Sequence, residues 1–255
     1  MLILALFASL MSGCGQLEDV KDAFEGLTDP LVVEAVLIGA VEPESELIDL
    51  SETDFADGTT IKVFVADATS IDDLESGALD GATVDLKSPS LGTLPLDAVV
   101  GGLYTANGQD GLEYFANEEY VISITNGDTL HKVAVSAPHP VDIDVPEQHS
   151  AGANLLIDLT EFDYDAVLVA VLDVTSGEIT YSNEPDGIQE MYDFTHTGSN
   201  VKRHEIPGSA FATQSIYAVG VAGMRNATAD DYDDMNTGLS SYMVGQMRFF
   251  PVQVM

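Results

Sequence analysis

The 255-residue sequence has one cysteine, no tryptophan and only eight basic side chains. With no second thiol, Cys14 has no partner for a bridge within the chain. The eight basic residues face 43 acidic ones, for a formal net charge of −35. Nucleic-acid affinity rests on Lys and Arg neutralising phosphates, so a polyanion-binding role is excluded. The lack of Trp weighs against an aromatic platform for stacking on sugars. The most apolar N-terminal stretch, "MLILALFASLM", falls well short of the roughly 20 residues that a membrane-crossing helix needs. After residue 30 no run of helix length carries a 3.6-residue period, which disfavours α/β enzyme folds. Disorder is disfavoured as well, because 45% of the residues are hydrophobic and they come in ordered runs.

The apolar stretch has the length of the h-region of an export signal. Ser12 and Gly13 follow it, then Cys14. "LMSGC" resembles the lipobox of bacterial lipoproteins, with Met11 where Leu is commonest. The resemblance implies that residues 1–13 are a signal peptide, that the Cys14 thiol is acylated and that the new N-terminus is acylated too. Two or three acyl chains anchor stably where one is marginal. By resemblance to enterobacterial lipoprotein sorting, Gly15 in place of Asp favours the outer membrane over the inner one. The expected location is therefore the bacterial cell envelope, with the membrane engaged through lipid.

Residues 14–30 read as a tether. Leu17, Val20, Phe24 and Leu27 share one helical face in "LEDVKDAFEGL", and Gly26 and Pro30 limit that helix. From Leu31 the pattern becomes that of strands. "LVVEAVLIGAV" is a β-rich apolar run, while "TTIKVFVADA" and "GATVDLKS" alternate. "EYVISITNGDTLHKVAVSAP" carries a hairpin signal around Asn126-Gly127. "SAPHPVDIDVPEQH" reads as a stiff, extended, Pro-rich linker over residues 139–150. Period-2 runs resume in "NLLIDLT", "AVLVAVLDVTSGEITYS", "IPGSAFATQSIYAVGVAGM" and "SSYMVGQMRFFPVQV".

These signals predict an all-β chain of two tandem antiparallel β-sandwich, immunoglobulin-like domains, at residues 31–138 and 151–255. Charge asymmetry supports the division. Residues 31–138 carry 20 acids against three lysines, and all three arginines lie in the second half. "GATVDLKS", "GGLYTANG" and "EYVISIT" together resemble carboxypeptidase-regulatory-like and transthyretin-like sandwiches. Ile206-Pro207-Gly208 followed by Tyr217 resembles the E–F corner of fibronectin type III domains, which implies that the Tyr217 hydroxyl bonds back to upstream backbone.

Candidate chemistry is sparse. Asp230, Asp231, Asp233, Asp234 and Asn236 form an acidic cluster, and Asp234-x-Asn236-x-Gly238 has the alternation of a calcium loop. Gly245 stands where an EF-hand needs Glu, so a solvated acidic loop is the preferred reading. Asp54 and Asp57 before Gly58 read as a turn. His139 and His149 flank Asp142 and Asp144, at a spacing that matches no known metal-ligand pattern. Ser209 lacks the Gly-x-Ser-x-Gly elbow, and there is no P-loop or dinucleotide fingerprint. No catalytic, cofactor-binding or metal-ligating residue is assigned.

The function expected from the sequence is a non-enzymatic binding, adhesion or scaffold component of the envelope, with a protein partner there. The alternatives are a carbohydrate-binding or hydrolase-accessory module and a calcium-dependent structural module. Mass spectrometry should find an acylated cysteine at the mature N-terminus and no residues 1–13. Cys14→Ser should lose the membrane fraction, and a variant as membrane-bound as the parent would overturn the lipid assignment.

Overall fold

The computed structural model of the chain describes residues 29–40, 48, 58–68, 73–185, 190, 194, 202–227 and 237–255. Cys14, the helical face of the tether, Asp54, Asp57, His196 and the acidic cluster from Asp230 to Asn236 lie outside the described residues. The fold is an all-β sandwich, as the alternating runs predict. Among the described residues no helix is long and apolar enough to cross a membrane.

A large mixed sheet forms the central layer. Its order is β12 (Glu178–Ser182), β11 (Ala166–Asp173), β14 (Ile216–Asn226), β15 (Thr237–Val254), β1 (Asp29–Ala40), β2 (Thr60–Asp67), β6 (Leu103–Asn107) and β5 (Asp97–Ala98). The short β9 (Gln148–His149) joins the edge of β15. Pairing is antiparallel except where β15 meets β1 and β9. The β1–β15 register runs from Val32 opposite Leu239 to Ala40 opposite Met247. Strands from both sides of the Pro-rich stretch therefore share one sheet.

Two smaller sheets cover one face of this layer. The first is β4 (Gly92–Pro95), β3 (Thr83–Ser88), β7 (Glu119–Asn126) and β8 (Thr129–Ser136). The second pairs β10 (Leu155–Asp158) with β13 (Arg203–Ile206). Strand character follows layer. β1 and β11 are near-continuous apolar runs because both their faces are buried. β3, β8 and β10 alternate because only one face is.

Leu31, Val33 and Leu37 of β1 pack with Leu86, Tyr120, Ile122 and Val133 beneath the first small sheet. Val167, Val169, Val219 and Val252 pack with Leu155, Ile157 and Phe211 beneath the second. The opposite face carries Val36, Phe64, Leu168, Leu172, Met243 and Phe249, buried together with Ile48, Leu74 and Phe194 from the connecting segments. Each such side chain contributes about 1.5–3 kcal/mol of burial. Glu34 is fully buried on this face, opposite Phe64 on one side and Ser241 on the other.

The hairpins show local chemistry at work. Asn126 pairs with Thr129, so the β7–β8 turn centres on Gly127 and Asp128, one residue later than the Asn126-Gly127 signal suggests. Gly127 takes φ 59°, which suits glycine at the first central position of a tight hairpin. At the β11–β12 turn the Gly177 N–H donates to the Asp173 carbonyl at 2.8 Å.

Segment 151–255 alone lacks β1 and so carries an unpaired β15 edge. Adding separately expressed 31–138 should raise its Tm by at least about 4 °C. An unchanged melting curve would show that the pairing contributes little.

Candidate functional site

The two small sheets leave a seam between them, and the Pro-rich stretch crosses it. Val141 is fully buried and Ile143 and Val145 half-buried, while Asp142 and Asp144 point outward. This period-2 pattern seats the stretch as a strap on the second apolar cluster. Arg248 donates to the Val141 carbonyl at 3.4 Å, and its guanidinium lies 3.7 Å from the Asp142 carboxylate. The Gln253 N–H donates to the Glu147 carbonyl at 2.8 Å.

Two tyrosines clamp the start of the strap by its carbonyls. Tyr114 Oη donates to Pro138 O at 2.7 Å, and Tyr164 Oη to His139 O at 3.3 Å. Both rings sit where the central sheet has no side chain. A Cβ on Gly39 would lie 2.3 Å from the Tyr114 ring, and one on Gly223 would lie 2.6 Å from the Tyr164 ring. Burial pushes both hydroxyls above their ordinary pKa, so they remain donors at neutral pH.

Beside this clamp a cleft of about 470 Å³ opens to solvent. One wall is Asn117 with the backbone from Ser136 to His139, and the other is Phe162, Asp163, Tyr164 and Arg225. The second wall is a braced loop. Asp158 Oδ1 accepts from the Thr160 N–H and hydroxyl, which hold its pKa below the usual carboxylate range. Lys202 donates to the Phe162 carbonyl, and Asp165 accepts from the Asn226 N–H. Arg225 reaches back from β14 to pair with Asp163.

The Phe162 and Tyr164 rings lie 6.2 Å apart, tilted by 35°, and Phe162 is 36% exposed. On the first wall Asn117 takes φ 66°, a left-handed conformation that Asn tolerates. Its N–H donates to Ala137 O at 2.8 Å. Its Nδ2 lies 2.8 Å from His139 Nε2, within hydrogen-bond distance. The cleft thus offers apolar ring faces, hydrogen-bond donors and hydrogen-bond acceptors within one small space.

The structure does not join His139 and His149. His149 Nε2 contacts Ala153 O at 2.9 Å, and its ring packs edge-on against Phe211. Among the described residues no group of three His, Cys, Asp or Glu side chains converges on a point where a metal could sit. Tyr217 Oη donates to the Thr213 carbonyl at 3.2 Å and lies 2.9 Å from the Thr213 hydroxyl. Ser209 lies in a short 3₁₀ turn, Gly208–Phe211. A second, polar depression near the end of β15 holds Ser215, whose hydroxyl donates to Asp173.

Sequence reasoning passed over Asn117, Phe162, Asp163, Tyr164 and Arg225. The available signal was "EFDYD", where two aromatics alternate with acids directly after a turn. No protein-family model matches the chain, and no curated protein matches it in sequence.

One histidine bears on stability. Tyr181 Oη and His204 Nε2 are hydrogen-bonded, tying the edge strand β12 to β13. Burial holds the His204 pKa below its ordinary value of 6.5. The unfolded chain then binds the extra proton first, so this contribution is complete above about pH 6.5 and is lost as pH falls toward the folded pKa. His204→Gln should flatten the stability slope between about pH 7 and pH 5, measured by urea melts. An unchanged slope would remove His204 as its source.

Proposed function

We propose that the protein is a lipid-anchored component of the bacterial envelope, held through Cys14, and that it binds a partner there without catalysis. The observation that carries this reading is the seam cleft. It is built by residues far apart in sequence, braced by its own hydrogen bonds, and combines exposed aromatic surface with polar groups. Rigid scaffolds that present binding groups on short loops are a common design for recognition. The net charge of −35 is a further support, since it directs the protein away from nucleic acid and anionic headgroups.

Two finer readings accompany this one. The bond from Tyr217 to Thr213 supports a fibronectin type III-like reading of residues 151–255. The two small sheets, one built from residues 83–136 and the other from residues 155–206, support residues 31–138 and 151–255 as two modules that share the central sheet through the β1–β15 pairing.

The test uses soluble Cys14→Ser protein and envelope fragments from a bacterium that makes the protein. The fragments should retain it, and Phe162→Ala with Arg225→Gln in the same chain should cut retention at least tenfold at unchanged Tm. Equal retention of the double variant would refute the cleft as the contact site.

A further inference from the structure

We infer that the seam cleft takes a neutral saccharide, a proposal that rests on the reading of this cleft as the binding site. Charge supplies the first argument. Arg225 opposes a cationic ligand, and Asp163, within a strongly acidic chain, opposes an anionic one. The two are paired at the solvent-facing edge of the cleft, so this wall favours a ligand without net charge.

Hydrogen-bonding capacity supplies the second. The Asp163 side chain is 92% exposed even while paired, so carboxylate lone pairs remain for a ligand. The Arg225 side chain is 40% exposed, and a guanidinium has five N–H donors, more than one carboxylate consumes. Neighbouring sugar hydroxyls each donate and accept at once. A carboxylate beside a guanidinium satisfies such a pair of hydroxyls with one acceptor and one donor. Asn117, held in its left-handed conformation, adds an amide carbonyl on the opposite wall, since its NH₂ is directed at His139.

The third argument is the ring surface. A pyranose has an apolar C–H face whose hydrogens carry partial positive charge, and an aromatic face is negative. Phe162 offers such a face directly beside the ion pair. Tyr164 is pressed against Gly223 and fixed through its hydroxyl, so it supports Phe162 at a set tilt. The chain has no Trp, and this pair assembles ring surface from smaller aromatics. A volume of about 470 Å³ lies within the usual range for small-molecule sites.

The experiment is calorimetric titration of soluble Cys14→Ser protein with neutral hexasaccharides of glucose, mannose, xylose and N-acetylglucosamine, against hexagalacturonate as the acidic control. At least one neutral chain should bind, at least tenfold tighter than the acidic one. Phe162→Leu keeps the apolar volume and removes the ring face, and should weaken binding at least tenfold. Phe162→Tyr should retain it. Asp163→Asn should weaken it as well, and Tm checks that each variant is folded. If no neutral chain binds, the saccharide proposal is overturned. The cleft reading still stands in that case if the double variant loses envelope retention. Saccharide binding that survives both Phe162→Leu and Asp163→Asn overturns the cleft itself as the site.

Discussion

The pairing of β1 with β15 is the constraint on which the rest of this fold depends. It joins the first described strand to the last and makes both of them interior strands of one sheet. β15 is long enough to serve β1 along its first half, β9 at its end and β14 along most of its length. Without this pairing, Leu31, Val33 and Leu37 would lose the neighbouring Tyr242 and Val244 from their cluster. Each small sheet has its own apolar contact with the central layer, but among the described residues that layer is continuous only through the β1–β15 pairing.

Tyrosine hydroxyls play a recurring second part. Tyr104 donates to Leu79 O and accepts from the Ala82 N–H, and Tyr120 donates to Glu113 O and accepts from the Phe115 N–H. Tyr114, Tyr164 and Tyr217 each hold a loop carbonyl. In each case a ring buried in an apolar cluster or packed against one places its polar tip where a loop would otherwise leave backbone groups unpaired. Tyr242 departs from the pattern, being fully buried with an Oη that has no partner among the described residues. The cleft is a by-product of this arrangement, because the tyrosines that fix the strap also fix one of its walls.

Local pattern was the legible part. The alternation in "TTIKVFVADA" and "GATVDLKS" gives strands where the structure has them, and the unbroken run "LVVEAVLIGAV" is that of a strand buried on both faces. The return bond of Tyr217 was legible from its place after Ile206-Pro207-Gly208. Partner choice was not. Parallel pairing of β1 with β15 leaves no mark in either strand, because any apolar run satisfies the same ladder. The Pro-rich stretch shows the limit differently. Its prolines indicate extended backbone, and Val141, Ile143 and Val145 alternate with acids over too few residues to tell a buried strap from a linker. The cleft was the least legible feature, since Asp163 and Arg225 stand 62 residues apart and only the β11–β14 packing brings them together.

Because the first described strand pairs with one that emerges much later, the order of synthesis matters. Until β15 leaves the ribosome, β1 has one open edge of unpaired N–H and C=O groups. An open apolar edge invites pairing with a neighbouring chain. The nascent segments carry many acids and few bases, so two copies close together repel each other during this interval. The acidic excess would then protect the waiting intermediate, at a stage when the finished surface does not yet exist.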